Sequence, residues 1–451
     1  MLASHPPEVL TLGCRLNLAE SETIRGLLGA RDVVVVNGCG VTNEAVKQTR
    51  ATIRRARRDR PDAELVVTGC ASDMDRAGFA AMPEIDRIVA NAAKLLPATW
   101  GAFPNRPAPR AHARAFVGVQ NGCDHACTFC AIPQGRGPSR STPIGEVVAR
   151  IAALVEGGVN EVVLTGVDLT SYTGGLGALV EAVLAGIPAL PRLRLSSLDT
   201  IEIDDRLFEL VTGEPRVMPH LHLSLQAGDD LILKRMRRRH LRRDAIALVE
   251  RLKAQREIAI GADLIAGFPT ESEAAFANTL ALLDHCDIVH AHVFPYSPRA
   301  GTPAARMPQV APVEVRERAA RLRAAAATRK RAWLAGFVGT TQAIVVEKPG
   351  DRGHAPGFAE VRLPSPLVPS EVEGRAPRTT CLDDARHERS LRSHTPPPPV
   401  PVEGRPAPSM NAPQPNSGRP STSSGRTKDM GRIIPATITA ATDDHLIGSP
   451  A

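Results

Sequence analysis

Aromatic residues are scarce in this chain. Two Trp, two Tyr and ten Phe make up only 3% of its 451 residues, although 43% are hydrophobic. The chain can therefore bury large cores, but those cores must be built mainly from aliphatic side chains. At this length we expect two or three domains rather than one.

Long apolar runs are missing as well. No run approaches the roughly 20 residues that a membrane-spanning helix needs, and the opening MLASHPPEVL has no basic segment followed by a long apolar one. We therefore expect neither a membrane helix nor a signal peptide, and a cytoplasmic location. In a reducing compartment the eight cysteines are expected to be metal ligands or buried thiols rather than disulfides.

Acidic residues are outnumbered by basic ones. The chain has 48 Asp and Glu against 55 Lys and Arg, which gives a net charge of +7. Arginines are concentrated in two segments, 50–58 and 234–243. Together they favour a polyanionic partner such as RNA, although each segment by itself is also typical of a solvated face.

The first hundred residues alternate between two patterns. Runs rich in β-branched residues predict strands at 8–14, 32–39 and 63–70, and helical spacing predicts helices at 17–30 and 43–61. Strands that alternate with helices predict a parallel sheet covered on both faces.

Each of these three predicted strands ends in glycine followed by cysteine. The cysteines are Cys14, Cys39 and Cys70. Because the carboxyl ends of parallel strands meet at one edge of a sheet, we expect the three thiols to lie close together. A single cysteine at a strand end is usually a buried apolar residue, but three in the same position favour a shared ligand.

A fourth cysteine is missing from the segment QNGCDHACTFCAIP at 120–133. It holds Cys123, Cys127 and Cys130, separated by three and then two residues. Thiolates select zinc or iron–sulfur clusters, and a structural zinc site needs four ligands. Three ligands leave one iron of a 4Fe–4S cluster open to a substrate or cofactor. Zinc with a distant ligand such as His125 is the alternative.

The rest of the chain predicts two further parts behind a proline-rich linker at 101–112. About six strand–helix units predict a full or partial β/α barrel with its chemistry at the carboxyl ends of the strands. A small β-domain follows, interrupted at 363–430 by sequence rich in Pro, Ser, Gly and Arg that is expected to be disordered. The barrel strands are predicted at 115–120, 161–168, 193–197, 220–226, 260–269 and 288–298.

The segment CDHACTFC resembles the CxxxCxxC signature of radical S-adenosylmethionine (SAM) enzymes. In that superfamily the open iron of a 4Fe–4S cluster binds SAM, which is cleaved to a 5′-deoxyadenosyl radical. TLGCRLNLAESE at 11–22, VNGCGVTNEA at 36–45 and VVTGC at 66–70 narrow the resemblance to the methylthiotransferases. That family implies two 4Fe–4S clusters, each held by three cysteines. The radical SAM cluster would be held by the first trio, Cys123, Cys127 and Cys130. The second cluster would be held by the second trio, Cys14, Cys39 and Cys70.

The same resemblance implies a domain plan. An N-terminal methylthiotransferase domain would span 7–100, the radical SAM core 113–335, and a β-domain that resembles the RNA-binding TRAM module 338–451. The overall fold class is therefore α/β, with an N-terminal parallel α/β domain, a central partial β/α barrel and a small C-terminal β-domain that carries the disordered interruption.

The stretch GCRLN, followed by ESE, resembles the MtaB type of the family. This branch methylthiolates carbon 2 of threonylcarbamoyladenosine beside the anticodon of tRNA. The alternatives are a methylthiotransferase acting on isopentenyladenosine tRNA or on a ribosomal protein and, from another class, a zinc-stabilised RNA-binding protein without catalysis. The resemblance implies a tRNA substrate, an electron donor of the flavodoxin or ferredoxin kind and a sulfur donor, and we expect a monomer.

Further residues carry weaker predictions. Other members of the family have Thr before the second cysteine of the N-terminal trio, whereas this chain has Gly38, which is expected to lose a hydrogen bond there. Cys286 is predicted to be buried and Cys381 to be a free thiol in the interruption. Family-like strand ends predict four residues of the SAM pocket, with loop capping as the alternative: Gly166, Ser197, Gln226 and Asp263.

Overall fold

The computed structural model describes residues 5–101, 112–347, 350–363 and 430–451. The predicted linker at 101–112 and the predicted disordered interruption at 363–430, with Cys381, fall almost wholly outside these residues. Among the described helices, none combines the length and the apolar character needed to cross a membrane.

The N-terminal part is a four-stranded parallel sheet in the order β1-β2-β3-β4, as the alternating pattern predicted. Consecutive residues of a strand point to opposite faces. Val35 of β2 accordingly shares a core with Ile24, and Val36 shares another with Ile53, so both faces are covered. The elements are β1 (Glu8–Thr11), α1 (Arg15–Leu27), β2 (Val33–Gly38), α2 (Asn43–Asp59), β3 (Glu64–Gly69), α3 (Cys70–Met74), α4 (Arg76–Ala80) and β4 (Arg87–Ile88).

The central part is a partial β/α barrel of six parallel strands. Two three-stranded ladders, β5-β8-β9 and β10-β11-β12, are joined by the parallel bridges Leu193–Val217 and Leu198–Leu223. The elements are β5 (Ala115–Gly118), β6 (Gln120–Asn121), α5 (Ile132–Arg136), β7 (Arg140–Ser141), α6 (Ile144–Glu156), β8 (Glu161–Thr165), α7 (Leu176–Gly186), β9 (Arg192–Leu195), α8 (Asp205–Gly213), β10 (His220–Gln226), α9 (Asp230–Met236), α10 (Arg242–Gln255), β11 (Ala259–Ala266), α11 (Glu273–His285), β12 (Ile288–Pro295) and α12 (Pro312–Ala335).

The barrel is open on one side. Within the described ranges β5 pairs only with β8 and β12 only with β11. Helix α1 of the N-terminal part packs beside β5, where a Cβ on Gly118 would lie 3.0 Å from Leu16 Cδ1. The N-terminal part therefore stands against the edge of the barrel next to the opening.

The C-terminal part is a closed five-stranded barrel in the order β13-β14-β15-β17-β16. Strand β13 pairs antiparallel with β16, with Thr341 opposite Thr437. The strands predicted on the two sides of the interruption therefore belong to one small β-domain. They are β13 (Thr341–Glu347), β14 (Arg352–His354), β15 (Glu360–Arg362), β16 (Ile433–Ala441) and β17 (Leu446–Pro450).

A loop of this β-domain, Ala355–Phe358, closes the amino-terminal end of the barrel. Arg194, the third residue of β9, donates to the carbonyl oxygens of Ala355 and Pro356 at 2.9 and 2.8 Å. The ring of Phe358 stacks on His220, the first residue of β10, with centroids 4.9 Å apart. The carboxyl-terminal end of the barrel, where the chemistry is expected, is left free of this loop.

Candidate functional site

The three-cysteine loop lies between β6 and α5, and the antiparallel pair β6–β7 holds its two ends together. Each of its sulfur atoms accepts a hydrogen bond. The donors are the backbone N–H of His125 to Cys123 at 3.4 Å and of Ile132 to Cys130 at 3.4 Å, and Arg238 Nη1 to Cys127 at 3.6 Å. Donors of this kind are typical around thiolates that bind a metal cluster.

The loop borders a cavity of about 150 Å³ at the carboxyl ends of the barrel strands. Of the four residues predicted for the SAM pocket, Ser197 and Gln226 line this cavity. Gln226 has a backbone φ of 69°, a strained value for a residue other than glycine. Strain of this kind persists where the surrounding structure needs a side chain in one place, as at ligand sites.

The other two predicted pocket residues lie outside the cavity lining. A Cβ on Gly166 would come within 2.9 Å of Gln120 Oε1, which accepts the N–H groups of Val167 and Asp168. The absence of a side chain at Gly166 thus allows Gln120 to approach the backbone closely. Asp263 lies halfway along β11 and is bonded to two histidines there.

For two of the loop thiols, Cys123 and Cys130, burial opposes ionisation unless a cation is bound. Burial, then Asp168 and the neighbouring thiols, raises the pKa of Cys123 to about 12. Burial, then Cys127 and the more distant Cys70, raises the pKa of Cys130 to about 11. Such thiols become thiolates at neutral pH only beside a bound cation, so a three-thiolate cluster fits this donor set.

The zinc alternative also has a geometric basis. Cys123, His125 and Asp168 each bring one ligand atom to within 4.8 Å of the others. His125 Nε2 lies 2.7 Å from Asp168 Oδ2, and this carboxylate raises the pKa of His125. The geometry alone fits both metals.

Several arginines of the basic segment 234–243 are engaged within the fold, although others, such as Arg243, are exposed. Arg238 is only 8% exposed in its side chain and donates to Asp199 and to the carbonyl of Ser224, both at 2.8 Å. Arg239 pairs with Glu202 at 2.5 Å, and Arg235 donates to Thr270 at 2.6 Å. The sequence pattern favoured RNA contact here, whereas the structure places Arg238 on the cavity lining.

Several arginines of the other basic segment are engaged within the N-terminal part. These ion pairs are Arg50–Asp75, Arg54–Glu84, Arg55–Asp59 and Arg57–Asp86. Arg54 and Arg55 nevertheless remain 55% and 78% exposed, so this segment still contributes basic surface.

The second trio meets at one edge of the N-terminal sheet. The parallel register places Gly38 beside Gly69, so Cys39 and Cys70 follow at the same level. A Cβ on Gly13, which has a φ of +93°, would lie 2.7 Å from Cys39 Sγ. Burial raises the pKa of Cys39, and Cys14 and Cys70 raise it further, which indicates that the three thiols are close.

The two trios are neighbours. Helix α5, which follows the three-cysteine loop, packs against α3, which begins with Cys70. A Cβ on Gly135 of α5 would lie 3.0 Å from Met74 Cε and 3.4 Å from Cys70 Cα. The sequence could not show this proximity, because it depends on how the two domains dock.

A buried charged network lies beside the second trio. Arg136 Nε donates to Cys70 Sγ at 3.1 Å, and its Nη1 and Nη2 bind Glu20 at 2.9 and 3.1 Å. Lys94 Nζ lies 2.6 Å from Glu20. The side chains of Arg136, Glu20 and Lys94 are 1%, 3% and 0% exposed.

This network is one negative charge short when both cations are protonated. Burial lowers the pKa of Lys94, and Glu20 opposes that shift. Burial likewise opposes the charge on Arg136, but Glu20 and Cys70 together raise its pKa. Buried charge is costly unless it is compensated, so an anion at Cys70 fits. A thiolate-bound iron–sulfur cluster is such an anion.

The space beside Gly38 is filled from another element. A Cβ on Gly38 would lie 2.5 Å from Thr49 Cγ2 of helix α2. Thr49 Oγ1 accepts the backbone N–H of Cys39 at 3.3 Å and donates to the carbonyl of Ala45 at 2.9 Å. A threonine hydroxyl from α2 thus reaches the backbone of Cys39 although position 38 has no side chain. The expected loss of a hydrogen bond near the cluster at Gly38 stays a prediction.

We expect Gly38→Thr to destabilise the protein and Gly38→Thr combined with Thr49→Ala to restore it. The single change overpacks the site against the Thr49 methyl group, which typically costs about 1–3 kcal/mol. Melting temperature and iron content after anaerobic reconstitution measure the effect, with Thr49→Ala alone as the control. Strictly additive effects of the two changes would show that the side chains do not compete for one space.

Two known families match parts of the chain. Residues 117–283 match the Radical SAM superfamily and residues 8–90 match the Uncharacterized protein family UPF0004. A solved structure, the radical SAM methyltransferase TsrM of Kitasatospora setae, covers 67% of this chain and 77% of its own with a TM-score of 0.49 and 13% identity.

Curated relatives match most of the chain. Threonylcarbamoyladenosine tRNA methylthiotransferase MtaB of Rickettsia prowazekii is 42% identical over 392 residues, which are 81% of this chain and 93% of that protein. The protein with the same name from Chlamydia pneumoniae is 33% identical, over 79% of this chain and 91% of its own. A tRNA-2-methylthio-N(6)-dimethylallyladenosine synthase of Cereibacter sphaeroides is 34% identical, over 76% and 87%.

Proposed function

The chain belongs to the radical SAM methylthiotransferase family, and from this premise we propose that it methylthiolates carbon 2 of threonylcarbamoyladenosine in tRNA. The observation that carries the substrate is the 42% identity to the Rickettsia relative over 93% of that protein. The relative named for dimethylallyladenosine reaches 34%. The matches to methylthiotransferases extend over most of the chain, which also favours iron–sulfur chemistry over a zinc-stabilised binding protein.

Membership of the family implies a 4Fe–4S cluster and SAM. We assign this cluster to Cys123, Cys127 and Cys130 and the SAM pocket to the adjoining cavity. When bound, the pair supplies reductive cleavage of SAM. Ser197 and Gln226 border the cavity and would contact SAM, while Arg238, fixed by Asp199 and by the carbonyl of Ser224, directs a donor at Cys127.

We also assign a second cluster to Cys14, Cys39 and Cys70. Two features support the assignment: the three thiols share one sheet edge, and the network of Arg136, Lys94 and Glu20 lacks one negative charge there. The closeness of α3 and α5 would bring the two clusters to the same substrate. The sulfur to be inserted would be held at this second site, next to the opening of the barrel.

The domain boundaries proposed from the sequence are 7–100, 113–335 and 338–451. We propose that the C-terminal β-domain acts as an RNA-binding TRAM module and that the enzyme works as a monomer with an electron donor of the flavodoxin or ferredoxin kind and a sulfur donor. A cytoplasmic location follows from the tRNA substrate of the relatives.

The function is tested in a bacterial strain that lacks this activity. Expression of the chain should restore 2-methylthio-threonylcarbamoyladenosine, detected by mass spectrometry of tRNA nucleosides. Restoration of the methylthio group on dimethylallyladenosine instead would contradict the proposed substrate.

We expect Cys39→Ala to separate the activities of the two clusters. Because Cys39 belongs only to the second trio, the variant should still cleave SAM to 5′-deoxyadenosine but should form no methylthiolated tRNA. The measurements are 5′-deoxyadenosine by chromatography and modified nucleosides by mass spectrometry. Methylthiolation at the original rate would contradict a role for this trio in sulfur insertion.

A further inference from the structure

Arg15 has a guanidinium group whose hydrogen bonds are unused. It is the first residue of α1 and follows Cys14 directly. Its guanidinium carbon lies 5.2 Å from the centroid of the Phe358 ring. With the residues that the structure describes it forms no hydrogen bond and no ion pair. Stacking on a ring holds the guanidinium by its face and leaves its N–H edge available.

The acidic groups that influence Arg15 are Glu161 and Asp263, and both are engaged by other cations or histidines. Glu161 accepts from Arg194 at 2.8 Å and lies 3.5 Å from Arg192. Asp263 Oδ1 lies 3.0 Å from His222 Nε2 and 3.2 Å from His292 Nδ1. The carboxylates that could neutralise Arg15 are therefore bound to something else.

The surroundings of Arg15 are positive. The guanidinium carbons of Arg114 and Arg194 lie 5.1 and 5.2 Å from the centroid of the same Phe358 ring. Arg15 is thus one of three cations that meet at this ring. A half-buried cation among other cations gains most from an anion that arrives with a ligand.

We propose that Arg15 binds the carboxylate of the threonylcarbamoyl group of the substrate nucleoside. The inference rests on the proposed function, since that substituent carries the carboxylate. Arg15 is the neighbour of Cys14, and adjacent Cα atoms are about 3.8 Å apart. The Arg15 side chain thus starts beside the sulfur site and extends to Phe358, at the amino-terminal end of the barrel. One nucleoside can reach both, with carbon 2 at the sulfur and the N6 substituent at Arg15. Arg15 is then a specificity-determining residue.

A backbone phosphate of the RNA is another anion with the same hydrogen-bonding chemistry. Two synthetic anticodon stem-loops distinguish the sources. One carries threonylcarbamoyladenosine, and the other carries the corresponding threoninamide, in which the carboxylate is replaced by a neutral amide. The phosphates are identical in both, so only contact with the carboxylate produces a difference in affinity.

The dissociation constants of the reconstituted enzyme for the two stem-loops provide the test. We expect the wild type to prefer the carboxylate by about ten- to a hundredfold, as for a hydrogen bond between charged groups. Arg15→Gln should abolish the preference, and Arg15→Lys should retain part of it. The matched control is Arg243→Gln, since the Arg243 side chain is 82% exposed; it should leave the preference unchanged.

Three results would overturn the inference. Equal weakening of the binding of both stem-loops by Arg15→Gln would indicate a phosphate contact. An unchanged preference in that variant would indicate that Arg15 does not contact the substrate carboxylate. A wild type that binds both stem-loops equally would exclude any residue that recognises the carboxylate. Melting temperature and iron content verify that the variants are folded and loaded. Failure of the proposed function looks different: the wild type would then leave the threonylcarbamoyladenosine stem-loop unmethylthiolated.

Discussion

Replacing Cys123, Cys127 and Cys130 together by Ala will abolish SAM cleavage and remove about half of the iron of the reconstituted protein. A chain with two 4Fe–4S clusters binds about eight irons, and the variant should keep about four. The two trios come from different loops, so the loss of one set of thiols leaves the other set intact. Iron and sulfide determination with a 5′-deoxyadenosine assay measures both effects.

Cys286→Ala provides the control for this triple variant. Cys286 is fully buried in the barrel core and lies outside both trios. Its replacement should cost some stability but leave the iron content and SAM cleavage unchanged. If the triple variant still cleaved SAM, the assignment of the radical SAM cluster would be wrong. Stoichiometric zinc in place of iron in the wild type would support the zinc alternative.

Glu20→Gln should destabilise the protein more strongly than most single substitutions. It removes the one carboxylate between Lys94 and Arg136 while keeping the shape of the side chain, so two buried cations are left with only the proposed anion at Cys70 as a counter-charge. Breaking a buried ion pair in this way costs roughly 3–5 kcal/mol. The decrease should appear in the free energy of unfolding, and faster hydrogen exchange should appear in α5, because Arg136 belongs to that helix.

The matched control is Glu44→Gln in α2. The Glu44 side chain is 67% exposed, and its ion pair with Lys47 measures 3.9 Å, so its loss should be nearly neutral. A Glu20→Gln protein as stable as this control would show that the network contributes no stability and would weaken the inference of a compensating anion at Cys70.

The effect of Glu20→Gln should also depend on pH. Burial opposes the ionisation of Glu20, but Lys94 and Arg136 outweigh it and lower the pKa below its usual value. A carboxyl group whose pKa is lower in the folded state stabilises the fold fully above its unfolded pKa, about 4.3. That contribution is lost as the pH falls through the folded value. The difference in stability between wild type and variant should therefore shrink in acid.

Parts of this protein follow from the sequence because they depend on local spacing. The alternation of β-branched runs with helical spacing predicted β1, β2 and β3 and the helices between them, since side-chain period is a local property of the backbone. Cys14, Cys39 and Cys70 could be grouped because parallel strands share one carboxyl edge. The strands on the two sides of 363–430 were also predicted in this way.

The roles of the charged residues were decided by tertiary structure. In the sequence Arg238 belongs to a basic run, and only the fold turns it toward Cys127. Arg136 follows the three-cysteine segment by a few residues, but its partners Glu20 and Lys94 come from distant segments. Thr49 replaces the side chain that Gly38 lacks, which no local pattern predicts. A charge or hydroxyl acts through its partner, and the partner is set by how separate elements pack. The sequence therefore determined the strands, helices and cysteine spacing, while docking of the domains decided the charge network and the unused guanidinium of Arg15.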